Sequence, residues 1–204
     1  MLCVKAPRKI VEPLTAEQVR LFLCRFRRYR DLCIVYLMLL CGLRSKEVLC
    51  IHIADCCFEE NRLKIQGKGN KERILPLPEL ISQTISSYLL WERPLHLKET
   101  ALFVALQGKN RGKPMTPSGL RSLFRHRRLD PEIAQANPHR FRHTFGADMA
   151  RAGVRLPVLQ KMMGHSDSRM TLQYINLSMA DIADEFHRAT AQIQKRYNHQ
   201  KAGL

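Results

Sequence analysis

Residues 137–153 read NPHRFRHTFGADMARAG, and residues 159–175 read LQKMMGHSDSRMTLQYI. The first stretch opens like a helix. Asn137 can accept from the unpaired N–H groups of a first turn, and Pro138 fills the first helical position, where a missing N–H does no harm. The helix is expected to run to about Ala152 and to stop at Gly153. Helical spacing places His139, Arg142 and His143 on one face, with Arg140 pointing elsewhere. The second stretch predicts a helix from Leu156 closed by Gly164, with His165 just beyond its end, and a short helix around Tyr174. Taken singly, each feature has a plain alternative. An H-x-x-R pair is a solvated basic face, a histidine after Gly164 is a turn histidine, and Tyr174 beside Leu172 and Ile175 is a core tyrosine.

Upstream, Thr15 opens a helix with Gln18 placed for a capping box, and Val19, Phe22, Leu23 and Phe26 form its apolar stripe. An apolar helix follows from about Arg30 to Cys41, stopped by Gly42. Arg44 emerges where that helix ends. A cation there can simply offset the helix dipole or pair with Glu47. A third helix starts near Ser45, with Val48, Leu49 and Ile51 facing inward. The period then changes. RLKIQ and ERILPLP flank GKGNK, which reads as a β-hairpin with Lys68 at its tip. Helical spacing returns after Pro78 (Leu80, Ile81, Ile85, Leu89). LFVAL then reads as a short strand, and QGKNRGKP as a polar loop. A helix from Ser118 to Arg127 is basic on one side. A last helix spans about Met179 to Arg196, with Ile182, Phe186, Ala189 and Ile193 on one stripe. The expected fold is α+β and mainly α-helical, with a small antiparallel sheet near the middle of the chain.

Bulk properties narrow the partner. Among 204 residues, 34 Lys and Arg stand against 18 Asp and Glu, a net charge of +16. That excess favours a polyanion, because each phosphate neutralised releases condensed counterions. The basic residues are spread along the chain and not gathered on one amphipathic helix, which argues for nucleic acid over a membrane surface. The apolar segment from Cys33 to Leu43 is too short to span a bilayer, and MLCVKAPRKIVEP lacks the apolar core of a signal peptide. The 7 cysteines, an odd number mostly set in apolar runs, read as reduced thiols in a cytoplasmic protein. Cys50, His52, Cys56 and Cys57 cluster loosely but lack a second ligand pair at a zinc-site spacing.

Order and spacing turn weak signals into a strong one. The series Arg44, Lys68, His139-x-x-Arg142, His165 and Tyr174, carried in CGLRSKEVL, IQGKGNKERILPLP, NPHRFRHTFGADMARAG and LQKMMGHSDSRMTLQYI, resembles the catalytic signature of the tyrosine recombinases, the phage integrase family. The resemblance covers roughly residues 14–178. It implies a catalytic domain there, with 1–13 as a linker or N-terminal extension and 179–204 as a C-terminal amphipathic helix and tail. It implies that Tyr174 is the nucleophile, that Arg44 and Arg142 hold the phosphate with His165, that His139 serves as base, and that Lys68 protonates the departing 5′ oxygen. Glu47 is expected to orient Arg44, with His143 in support. Lys71 and Arg73 on the hairpin, and Arg121 and Arg125 on the basic helix, are the expected DNA contacts. The implied product is a 3′-phosphotyrosine bond, with no cofactor and no metal. Double-stranded DNA is the implied partner, bound by a homotetramer that is a monomer when free. The segment after the tyrosine packs either on its own domain or on a neighbouring protomer. Family members typically carry an N-terminal helical clamp domain, and about a dozen residues stand in its place here, as in a catalytic-only member or a fragment. Two other functions compete: a type IB topoisomerase, which shares the arrangement, and a DNA-binding remnant that has lost catalysis.

Overall fold

A computed structural model describes residues 12–67, 72–164 and 179–198. Helix α1 (Ala16–Leu23) begins at Thr15, whose hydroxyl accepts from the Gln18 N–H while the Gln18 side chain accepts from the Thr15 N–H. This is the expected capping box, a device that satisfies two otherwise unpaired donors. Helix α2 (Tyr29–Leu40) is apolar on nearly every side and runs through the core, packed between α4 (Glu79–Trp91) and α6 (Pro138–Arg151). Its first turn is capped from a distance: the Glu92 carboxylate accepts from the N–H groups of Tyr29 and Arg30 at 2.8 and 2.9 Å. Phe22, Phe26, Phe124 and Phe141 stack where α1, α5 (Pro117–Arg127) and α6 meet, with ring centroids 5.0–5.8 Å apart.

Gly42 ends α2 in a way few residues could. Its φ is +64°, and a Cβ there would lie 2.3 Å from Phe145 Cδ1. The left-handed backbone and the close approach both call for glycine. The turn it makes returns the Leu43 N–H to the Leu37 carbonyl and delivers Arg44 to the start of α3 (Ser45–Leu49).

The sheet follows. Strands β1 (Cys56–Cys57), β2 (Arg62–Gln66) and β3 (Glu72–Pro76) are antiparallel in the order β1-β2-β3. The β2–β3 hairpin stands as expected, with Ile65 opposite Arg73 and Leu63 opposite Leu75. The two-residue β1 was not foreseen. The strand expected at LFVAL is not formed. Residues 101–105 make only isolated bridges, Ala101 to His52 and Val104 to Pro114. The segment shares its backbone groups between two loops: Leu102 donates to Ile51, and Met115 donates to Phe103. Pro114, which has no N–H, cannot extend a ladder.

Helix α6 is capped as anticipated, with the Asn137 side chain accepting from the Arg140 N–H at 3.0 Å. Helix α7 (Leu156–Met163) closes at Gly164 in the left-handed conformation, φ +61°. Helix α8 (Met179–Asn198) packs on its own domain, against β3, α6 and α1, through buried Ile182, Phe186, Ala189 and Ile193. Ion pairs Arg155–Glu185 (2.7 Å) and Arg196–Asp148 (3.1 Å) flank that stripe. No helix of the described residues is long and apolar enough to cross a membrane.

Candidate active site

Four charged side chains arrive from four places in the chain. Arg44 comes from the turn after α2, Glu47 from the first turn of α3, Arg73 from β3 and Arg142 from the second turn of α6. They meet at the C-terminal end of α7. Glu47 is the hub, with its side chain 5% exposed. Its Oε1 accepts from Arg44 Nη1 at 2.8 Å and Arg73 Nη1 at 2.9 Å. Its Oε2 accepts from the Arg44 backbone N–H at 2.7 Å and Arg73 Nη2 at 3.1 Å, and Arg142 Nη1 stands 3.7 Å from it. A carboxylate offers about four acceptor positions, and here all four are taken.

The last carbonyls of α7 complete the cradle. Arg73 Nε donates to Met162 O at 2.9 Å. Arg44 Nη1 and Arg142 Nη2 donate to Met163 O at 3.2 and 2.6 Å, and Arg44 Nη2 donates to Gly164 O at 3.0 Å. Arg142 Nη1 also donates to the Gly42 carbonyl. A helix C-terminus leaves such carbonyls unpaired and carries partial negative charge, so guanidiniums suit it twice over. Gly164 must stay small as well as left-handed, since a Cβ would lie 2.9 Å from Arg73 Nη1. The residue that follows it is His165.

Three guanidiniums against one carboxylate leave a surplus of about two positive charges. The consequences are visible in the ionisation of the groups. Burial, with the positive charges of Arg44 and Arg73 behind it, brings Arg142 down to about 10, against the pull of Glu47. It remains a cation at neutral pH. Burial also pushes the Glu47 carboxyl up. Hydrogen bonds from Arg73 and Arg44, with the charge of Arg73, outweigh that and hold it below its ordinary value. Exposure divides the cluster: the side chains of Arg142 and Arg73 are 6% and 13% exposed, while that of Arg44 is 41% exposed and forms the open face.

Of the other expected residues, His139 lies exposed on the first turn of α6, one turn before Arg142, and His143 is half-buried one residue after it. Arg121 and Arg125 are exposed on α5, which packs beside α3. Lys68, Lys71, His165 and Tyr174, with the short helix expected around Tyr174, lie outside the described residues. Arg73, expected to face DNA, is turned inward on Glu47 and Met162. The signal for this was present in ERILPLP, where alternation puts residue 73 on the same side as buried Leu75 and Leu77. The loose cysteine cluster is not built like a metal centre. Among the described residues no three His, Cys, Asp or Glu side chains come together as metal ligands, and His52 Nδ1 is engaged by Thr100 Oγ1 at 2.9 Å.

Known proteins resemble this chain in sequence and in fold. Tyrosine recombinase XerD of Staphylococcus saprophyticus is 30% identical over 195 residues, covering 90% of this chain and 65% of the relative. The chain thus spans about two thirds of that protein's length. The fold matches the integrase of mycobacterium phage Brujita with a TM-score of 0.67 at 22% identity, over 93% of this chain and 65% of that one. It also matches the Tn1549 transposon integrase, solved in complex with circular intermediate DNA, with a TM-score of 0.61 at 24% identity, over 87% of this chain and 64% of that one. Residues 12–181 match the phage integrase family, and the chain belongs to that family.

Proposed function

We propose that this chain cuts and rejoins DNA as the catalytic part of a site-specific recombinase. One observation carries the reading: Arg44 and Arg142 are fixed side by side on the helix end that leads to His165, with positive charge in surplus. Attack on a phosphodiester adds charge to the non-bridging oxygens, and forked, permanently charged donors aimed there stabilise it. In this reading the Tyr174 oxygen bonds to phosphorus and the 5′ oxygen leaves. The phenol proton passes to His139, Lys68 protonates the leaving oxygen, and His165 donates a hydrogen bond to the phosphate. The 3′-phosphotyrosine keeps the energy of the broken bond, and the reverse steps reseal a strand. The arginines fill the electrostatic role that divalent ions play in two-metal nucleases. Double-stranded DNA is the partner, and the XerD likeness and the DNA-bound Tn1549 relative support that choice. Exchange between two duplexes needs four protomers, and the free chain is expected to be a monomer.

The test is a covalent adduct. A nicked DNA duplex that traps the cut state is expected to yield a protein–DNA band on a denaturing gel, unaffected by EDTA and absent in Tyr174→Phe. An adduct that survives Tyr174→Phe moves the nucleophile elsewhere, with Tyr197 next to be tried.

A further inference from the structure

The geometry points to Arg73 as a positioning residue: through Glu47 it holds Arg44 and Arg142 in the state that receives a phosphate. This rests on the recombinase reading and names a part of the machinery beyond the six residues of that mechanism. Arg73 occupies a core-facing register position on β3, opposite Ile65 and in line with Leu75, where an apolar side chain would be the ordinary choice. A charge in such a place needs partners, and Arg73 has three: both carboxylate oxygens of Glu47 and the carbonyl of Met162. The fork sets the plane of the carboxylate.

That plane decides how Glu47 meets the other two arginines. Its Oε1 is shared between Arg73 and Arg44 Nη1, and its Oε2 between Arg73 and the Arg44 N–H. Arg142 is kept at 3.7 Å, outside hydrogen-bond reach. Without Arg73 two acceptor positions open and the carboxylate can turn. The Arg142 guanidinium stands beside it, with Nη1 3.7 Å from Oε2, and a direct pair there would neutralise the guanidinium that the phosphate needs. Arg73 also ties β3, five residues past Lys68, to the last turn of α7, just before His165. One side chain therefore links the hairpin, the arginine pair and the helix end. A lysine keeps the charge but cannot span two carboxylate oxygens and a carbonyl at once.

The test separates positioning from DNA contact. With full-length protein and the nicked duplex, Arg73→Lys and Arg73→Met are expected to bind DNA with the wild-type salt slope. Their single-turnover cleavage is expected to fall by about 10–100-fold, the scale of a small misplacement at a reacting centre. In Arg73→Met the acid limb of the cleavage profile moves to higher pH, because the cation that holds the Glu47 carboxyl down is gone. Arg73→Met combined with Glu47→Gln is expected to be no slower than the worse single variant, as two residues acting through one contact require. Thermal unfolding of Arg73→Lys, expected to remain cooperative, controls for folding. Wild-type cleavage rates in both variants, or a salt slope reduced by about 0.9, would overturn the assignment in favour of a bystander or a phosphate contact. A wild-type protein that forms no adduct at all instead sinks the recombinase reading beneath it.

Discussion

Arg142 and Arg121 are the same residue on two helices of one domain, and they do opposite things. Arg142 sits on α6 with its side chain 6% exposed, donating to Gly42 and Met163 with the Glu47 carboxylate 3.7 Å away. Arg121 sits exposed on α5, where its guanidinium donates to Ser118 Oγ at 3.2 Å. The first belongs to a cluster with a charge surplus set in place by backbone carbonyls. The second belongs to a surface whose charge is screened by water and salt. A net charge of +16 counts both alike. Only the first kind is preorganised, and preorganised charge accelerates a reaction, whereas exposed charge mostly gathers the substrate.

The contrast breaks most easily at Glu47. Glu47→Ala leaves three guanidiniums around an empty hub, and removing one partner of a buried ionic network typically costs about 3–5 kcal/mol. Chemical unfolding should register a loss of that size, and a loss under about 1 kcal/mol would mean the arginines stand without their carboxylate. The pH dependence has a definite sign. The folded carboxyl titrates below its ordinary value of 4.5, so its stabilisation is complete above 4.5 and is lost as pH falls through the lower folded value. The stability gap between wild type and Glu47→Gln is therefore expected to close on acidification. A gap that widens contradicts the ion-pair account.

Arg44 comes next. Its side chain is 41% exposed, so Arg44→Ala should disturb stability far less than Glu47→Ala. Its guanidinium, tied to Glu47, Met163 and Gly164, forms the open face of the cluster, and single-turnover cleavage is expected to drop by about 10²–10³-fold, the cost of losing one charge-stabilising donor. DNA affinity, set by many phosphate contacts, should largely persist. Equal losses of binding and cleavage would place Arg44 with the exposed kind.

How far these two kinds were legible in the sequence depends on the range of the forces that set them. Local chemistry was readable. Thr15 with Gln18, Asn137 with Pro138, and the stops at Gly42 and Gly164 each rest on groups within a few residues. The hairpin was readable because alternation and a Gly/Asn-rich turn both lie in one short stretch. Residues 102–106 were misread as a strand because their backbone partners, residues 51 and 115 among them, come from loops whose approach is tertiary. The direction of Arg73 was misread for the same reason. Its alternation with Leu75 and Leu77 was in plain view, but a charge facing inward makes sense only once Glu47, 26 positions away, and Met162, 89 positions away, are known to be there. The family signature named a candidate set without showing what holds Arg44 and Arg142 in place.

The exposed kind makes the smallest prediction and the most discriminating one. Arg121 and Arg125 lie four apart on the solvent face of α5, beside the helix that Arg44 begins. Both side chains are exposed, so substituting either by alanine should change stability by no more than about 0.5 kcal/mol. If each guanidinium neutralises one phosphate, each substitution should lower the magnitude of the salt slope of DNA binding by about 0.9, and the double variant by about twice that. Cleavage at saturating DNA should be unchanged. A slope that does not move places the duplex on another face and removes α5 from the interface. Lysine in place of arginine then divides the molecule. On α5 an ammonium still displaces a counterion, so the slope survives, while at Arg73 it cannot reproduce the fork, so the rate falls.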